Sequence, residues 1–433
     1  MVRRVSVLAW VTLLTGIAAG MAGMLLARLL RLIQHLAFAY GSGESFLNGV
    51  ISSSPLRRAV VLSVCGAIAG IGWGALRRAA KPLVSIRDSV ENGKEMPPLA
   101  TIAHDLLQIL TVGLGSPLGR EVAPREMGAL VAGALCRGAR LSQDECRVLI
   151  ACGAGAGLAA VYNAPLGGAL FALEVLLGTF RLSAAIPAIA TSAIAAWVAS
   201  FGLGDETAYV LPRLAVAPSL IAWSLVAGPM IGLCAHWFSK AASTASARAP
   251  RDWRLVAWCG AVFPLIGLIS ILFPQVLGNG KSIASLGFDS TLTVGGSAAL
   301  LVMKTAVVVG ALRAGASGGL MTPGIAIGAC LGTLSGGIWS HIWPGVASGD
   351  FAVIGGTAFL AASMRMPVTA IVLMIEFTRV DHDFLIPMAL AATGSVLAYS
   401  AAGSQSATTA AAVLHSVPST ELIEHERTPV GSL

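Results

Sequence analysis

The sequence predicts an all-α polytopic membrane protein assembled from two similar halves. Three observations carry that prediction. Hydrophobic residues make up 56% of the 433-residue chain and charged residues 11%, less than half the roughly 25% charge of a soluble globular domain. Apolar runs recur along nearly the whole length, and several are too short for a complete crossing. Two motifs of the first half return in the second, in the same order. So few charges cannot coat a globule of this size in water, which excludes a soluble enzyme. A nucleic-acid binder would gather Lys and Arg on one soluble face. Here the net charge of +7 lies in small clusters between apolar runs: Arg3 and Arg4, Arg57 and Arg58, Arg77, Arg78 and Lys81, and Lys240 to Arg254. Spans end and loops begin at such clusters. The expected surroundings are the lipid bilayer, not nucleic acid.

The runs fall near 5–39, 59–76, 100–114, 127–141, 148–161, 165–178, 183–202, 214–238, 254–277, 295–312, 320–341, 351–363, 367–378 and 383–401. The first is too long for the core of a signal peptide and reads as a retained, tilted helix. A crossing helix needs about 20 apolar residues, so the length allows roughly ten or more membrane segments. The shorter runs, broken by Gly and Pro, read as re-entrant or half-spanning helices. Such breaks are tolerated at membrane depth only where they face protein or a water-filled cavity. One transmembrane domain, 1–433, is expected, with halves near 1–245 and 246–410, a short polar tail at 413–433 and no appended soluble domain. The seven cysteines form no Cys-x-x-Cys pair and lie mostly in apolar runs. They predict buried free thiols, neither a disulfide framework nor a metal site.

The repeat is specific. Gly119 to Pro124 reads GREVAP, and Gly318 to Pro323 reads GGLMTP, with glycine and proline five apart in both. LAAVYNAPLGGALFALE runs from Leu158 to Glu174 and LAASMRMPVTAIVLMIE from Leu360 to Glu376, with proline and glutamate nine apart in both. The two prolines are separated by 41 residues in the first half (Pro124 to Pro165) and 44 in the second (Pro323 to Pro367).

Each Gly-rich turn precedes an apolar helical run. Glycine lets the backbone bend and lets another group approach closely. A helix starting there presents free N–H groups and a partial positive charge, an anion site without a buried cation. Two such starts facing one point near the midplane predict an anion pathway. Glu121 sits inside the first motif, and an ionisable group within a membrane segment is a functional candidate. Its carboxylate, resembling the anion, would occupy the site when charged and leave it when protonated. That would make it both gate and proton carrier. The alternative is a structural ion pair with Arg120 or Arg125.

Other groups carry less. Glu174 and Glu376 close the second landmark, and boundary anchoring or a helix-end contact is expected of them. His104 and Asp105 suggest a proton relay, but neighbours on a helix do not share a face, so a solvated or capping role is expected. Gly280, Lys281 and Ser282 lack the glycine a phosphate loop needs five residues earlier, where Gln275 stands. No HExxH pair, metal-ligand set or nucleophile motif supports an intramembrane enzyme, and no cofactor is expected.

At these residues the chain resembles the chloride-channel (CLC) family of anion channels and anion/proton antiporters. GREVAP is similar to that family's GREGP motif, and GGLMTP to its GGxFxP motif. NAPLGGALFALE and MPVTAIVLMIEFT, the latter from Met366 to Thr378, resemble two further typical stretches. The resemblance spans about residues 80 to 400. It implies about eighteen helices in two inverted halves, a multi-pass protein of the cell membrane, and a homodimer with one pore per subunit. It implies Glu121 as the gating glutamate, with anion-binding positions at Gly119, Arg120 and Val122 and at Gly319, Leu320, Met321 and Thr322.

The departures point to a branch. The family's GSGIP loop, which supplies a serine to the anion site, is replaced by KPLVSIRD from Lys81 to Asp88, placing the serine position near Lys81 or Pro82. The internal proton glutamate falls on Val175, with Glu174 one position early. Tyr399 is the candidate for the pore tyrosine. GREVAPRE and Thr322 resemble the fluoride-exporting branch. This favours a fluoride/proton antiporter with Glu121 as the lone proton carrier, over a chloride transporter working as antiporter or passive channel.

Overall fold

The computed structural model describes residues 2–41, 43–205, 208–212 and 216–416, with side chains as far as residue 404; most of the predicted polar tail lies outside them. The described residues form seventeen α-helices. In the first half they are α1 (Val2–Phe38), α2 (Phe46–Ser52), α3 (Pro55–Ala79), α4 (Ile86–Asn92), α5 (Pro98–Gly113), α6 (Val122–Gly138), α7 (Gln143–Tyr162), α8 (Pro165–Phe171) and α9 (Leu182–Leu203). A single π-helical segment, Ala172–Leu177, continues α8. The second half holds α10 (Pro218–Ala247), α11 (Arg254–Leu272), α12 (Lys281–Phe288), α13 (Val294–Ala314), α14 (Met321–Trp339), α15 (Ser348–Met364), α16 (Pro367–Thr378) and α17 (Leu385–Ser416). Nine helices among the described residues are long and apolar enough to cross a membrane, and Pro165–Leu177 and Pro367–Thr378 are shorter apolar segments. The half-spanning elements predicted from the broken runs are therefore present.

Helix starts follow local chemistry. Proline opens α3, α5, α8, α10 and α16, where its missing N–H costs nothing. Ser142 and Glu145 form a reciprocal capping box on α7, satisfying two otherwise orphaned donors. The repeat is visible in the backbone itself. Asn163 (φ 52°) ends α7 and Arg365 (φ 54°) ends α15, both left-handed, each two residues before the proline that opens the next helix.

Packing repeats as well. In the first half α6 packs on α7, α7 on α9, and α1 on α9; in the second α14 packs on α15, α15 on α17, and α10 on α17. The second half repeats the packing of the first, and α3 packs on α11. This moves the boundary. The sequence places it near 245, but α10 plays the part of α1, so the second half begins at Pro218. A boundary near 245 falls inside α10, which runs from Pro218 to Ala247.

Glycine sets how closely the inner helices cross. A Cβ at Gly128 would strike the backbone carbonyl of Gly153, and one at Gly157 that of Pro124. The second half mirrors this: Gly328 faces the Gly355 carbonyl and Gly332 that of Phe351. Backbone-to-backbone contact at these crossings holds the starts of α6 and α14 in place. The seven cysteines are free thiols, five of them buried.

Candidate anion site

The two Gly-rich turns meet. Gly119 N–H donates to the Gly319 carbonyl at 2.7 Å, and Gly319 N–H donates to the Gly119 carbonyl at 2.9 Å. This antiparallel bridge joins the repeats at equivalent residues and brings the starts of α6 and α14 together. Glu121 caps α6 in helical geometry, fully buried. Its carboxylate lies across the bridge: Oε1 accepts from the Met321 amide, the first of α14, at 2.7 Å. A Cβ at Gly119 or Gly319 would overlap that carboxylate, so both positions demand glycine for close approach. Oε2 has no partner. A carboxylate thus sits where the start of α14 would hold an anion.

The ion-pair alternative does not describe this geometry. Arg125 Nε donates to the Glu121 backbone carbonyl at 2.8 Å and its guanidinium stacks over Phe171. Arg120 lies 5.3 Å over the Tyr162 ring. At the start of α6, the Ala123 amide is taken by Gln108 Oε1 at 3.0 Å.

Thr322 is buried and its hydroxyl lies 2.9 Å from the Tyr162 hydroxyl. Tyr162 was not singled out in the sequence. The signal available was a lone phenol ending a helix otherwise rich in Gly and Ala. Tyr162 and Thr322 also line a cleft with Arg31, Arg120, Asn279 and Lys281. Three basic groups around one mouth raise the local anion concentration. Lys281, dismissed as part of a failed phosphate loop, is one of them.

A second missed residue is Lys304, a buried lysine inside α13. Its Nζ donates to the carbonyls of Pro117 (3.1 Å), Val276 (3.1 Å) and Gly278 (2.7 Å), using all three donors. It ties the turn before Gly119 to the turn before Lys281. A lysine in the middle of a 21-residue apolar helix, whose other charge, Arg313, sits in the last turn, is the signal that could have marked it.

Two predicted residues are not brought to the Glu121 cluster. Lys81 is exposed and borders an apolar groove beside Glu95 and Leu99. The nearby helix start, that of α4, is capped by its own Ser85, which accepts from the Asp88 amide at 3.1 Å. Tyr399 packs against His236 (ring centroids 5.3 Å apart) and under Arg365, because its place on α17 faces α10 and α15.

Glu174 and Glu376 are helix-end contacts, as expected, and reciprocal ones. Glu174 accepts from the Val368 amide (3.1 Å) and the Thr369 amide (2.7 Å) at the start of α16. Glu376 accepts from the Leu166 amide (2.9 Å) and the Gly167 amide (2.7 Å) at the start of α8. Asp105 departs from expectation. It is neither solvated nor a cap but fully buried in the middle of α5.

Comparison with known proteins agrees with this architecture. The voltage-gated ClC-type chloride channel ClcB of Salmonella typhimurium is 28% identical over 383 residues, covering 84% of this chain and 89% of the relative. The H(+)/Cl(-) exchange transporter ClcA of Yersinia pestis is 31% identical over 298 residues, 66% of this chain and 62% of the relative. The fold matches a slow cyanobacterial Cl-/H+ antiporter (TM-score 0.80, 19% identity, 92% of this chain and 95% of that one). It also matches a CLC-type fluoride/proton antiporter (TM-score 0.71, 19% identity, 92% and 96%). The family model described as voltage gated chloride channel matches residues 65–400. The inverted halves, the bridged glycine turns and that match together make the chain an integral, multi-pass member of the CLC family of anion transport proteins.

Proposed function

We propose that the protein exchanges a small halide for protons, with Glu121 as both gate and proton carrier. One observation carries this reading: the Glu121 carboxylate accepts from the first amide of α14 at 2.7 Å, while its second oxygen is buried without a partner. Charged, it fills the anion site. Protonated, it gives up its claim on the amide, and the halide takes its place. Chloride is the favoured halide, because the relatives covering most of the chain are named as a chloride channel and a chloride/proton exchanger. Fluoride is the second reading. It is favoured by the sequence around the site, where Thr322 supplies a hydroxyl and the family's serine loop is replaced at Lys81 to Asp88. A homodimer with one pathway per subunit completes the proposal.

The test is flux in liposomes containing the purified protein, with chloride and fluoride assayed under identical conditions. An outward halide gradient should drive uphill proton uptake, and Glu121→Gln, which mimics the protonated gate, should abolish it. Proton uptake that persists in the Gln variant would refute the role of Glu121. The ratio of the two halide fluxes decides between chloride and fluoride.

A further inference from the structure

One corner of the molecule, where α10 ends, α11 begins and α13 ends, gathers positive charge. Arg248, Arg251, Arg254 and Arg313 line one cleft there, and Asp252 is its single acidic member. Asp252 is already engaged: it accepts from the Arg254 amide at 3.0 Å and lies 3.8 Å from that residue's guanidinium. Among the described residues no carboxylate comes within ion-pair distance of Arg248, Arg251 or Arg313. The corner is tied together from α3. Arg77 donates to the carbonyls of Pro250 (3.0 Å) and Gly315 (3.5 Å), which holds the α10–α11 turn beside the end of α13. Guanidinium groups fixed side by side in this way concentrate anions.

Arg248 and Arg313 also border a second cleft, which is mostly apolar and runs between α10 and α13. Small residues, Ala241, Ala245, Ala306 and Gly310, leave it open, and Trp237 borders it. From Arg248 back to Trp237 the groove follows about 16 Å of helix. Tryptophans mark its depth. Arg313 lies 4.4 Å over the Trp258 ring and Lys240 5.1 Å over the Trp237 ring, and Trp237, Trp253 and Trp258 are all exposed. Exposed tryptophan beside basic groups is the pattern of a membrane–water interface. Beyond it α10 exposes Leu225, Met230 and Leu233, and α11 exposes Leu265 and Leu268, the apolar faces that a bilayer covers.

We propose that this corner binds an anionic phospholipid of the surrounding bilayer. Its phosphate lies among Arg248, Arg251 and Arg313, and one acyl chain follows the groove toward Trp237. The two clefts call for one molecule with both parts, because they share two arginines. A free anion would use the arginines and leave the groove empty. A second copy docked on this face about a two-fold axis would set arginine against arginine. Basic pockets between membrane helices suit lipid phosphates, and the planar guanidinium fork matches phosphate oxygens two at a time. None of these residues borders the cleft at Thr322, so the site does not depend on which ion the protein carries.

The experiment reconstitutes the full chain in vesicles of equal parts phosphatidylglycerol and phosphatidylcholine with matched acyl chains. The protein is then recovered in mild detergent, and retained lipid is counted by native mass spectrometry. Each basic group at an anionic lipid surface contributes about fivefold. Wild type should therefore retain phosphatidylglycerol over phosphatidylcholine by about tenfold or more, and the double variant R248Q/R313Q should lower that ratio by about tenfold or more. Ala306→Trp fills the groove from an exposed position and removes no charge. It should lower phosphatidylglycerol retention by about tenfold, as for two methylenes displaced. Excess inorganic phosphate should not release the lipid from wild type. Equal retention of the two lipids by wild type, or a preference that survives in R248Q/R313Q, would overturn the site. Release by inorganic phosphate together with full retention in Ala306→Trp would show a site for free anions and overturn the lipid assignment.

Discussion

The Tyr162 and Thr322 hydroxyls bring two hydrogens to one contact. One is spent between them at 2.9 Å, and the other is left to donate into the cleft. Either residue alone could supply a donor, but the pair fixes its direction. Tyr162→Phe and Thr322→Val should therefore each weaken halide binding by about tenfold, since a hydrogen bond to a charged group contributes about 1.5–3 kcal/mol. The double variant should be little worse than either single one. Isothermal titration of the purified variants with halide would show this, and additive losses would mean two independent contacts. At this scale the sequence was legible where chemistry is local. Gly119, Gly319 and Glu121 stand in a motif whose spacing names their roles, and all three meet in one bridge. Tyr162 was not legible, because its partner lies 160 residues away and only the approach of α7 to α14 joins them. Tyr399 and Lys81 came only from the resemblance, and the helices place them elsewhere: Lys81 borders the groove beside Glu95 and Leu99, and Tyr399 packs against His236.

Among the elements, the short helices α8 and α16 show how a half-spanning segment survives at membrane depth. Each begins with proline and exposed amides, and each would leave those donors unpaired in lipid at a cost of several kcal/mol. The glutamate ending the opposite segment closes the gap. Glu174→Gln keeps the shape but loses the charge and one acceptor. It should destabilise the fold by about 1–3 kcal/mol while leaving proton coupling intact. Thermal unfolding in detergent and a coupled-flux assay check the two halves of that statement. Loss of coupling with stability unchanged would give Glu174 a proton role instead. The π-helical segment Ala172–Leu177 has no counterpart in α16, and it carries Glu174. Nothing in the periodicity of ALEVLL announces it, because one wider turn leaves the apolar pattern intact. The boundary near 245 lay inside α10, and only its packing on α17 and α15 assigns that helix to the second half.

For the whole molecule, the inverted repeat was readable from two motif pairs at matched offsets, and the backbone repeats it down to the left-handed Asn163 and Arg365. What the sequence could not give was the close packing between the halves, which depends on glycine carbonyls meeting across helices. The reciprocal clamp makes a prediction here. If the chain is cut after Asp205, between α9 and α10, the fragments 1–205 and 206–433 should copurify from one membrane through a tag on either. Combining Glu174→Gln with Glu376→Gln should weaken that association. Fragments that purify singly would show that the covalent link, not the clamp, joins the halves.

The clamp has one more consequence. Each half owns both parts of the joint: a bare helix start and the carboxylate that fills it. α8 offers the Leu166 and Gly167 amides and is followed by Glu174; α16 offers the Val368 and Thr369 amides and ends near Glu376. A joint in which every surface carries its own complement is isologous, the arrangement that two copies of one chain adopt about a two-fold axis. Either half is thus built to grip a twin inserted the other way up. The present chain carries, in covalent form, the two-fold symmetry of a pair of identical subunits.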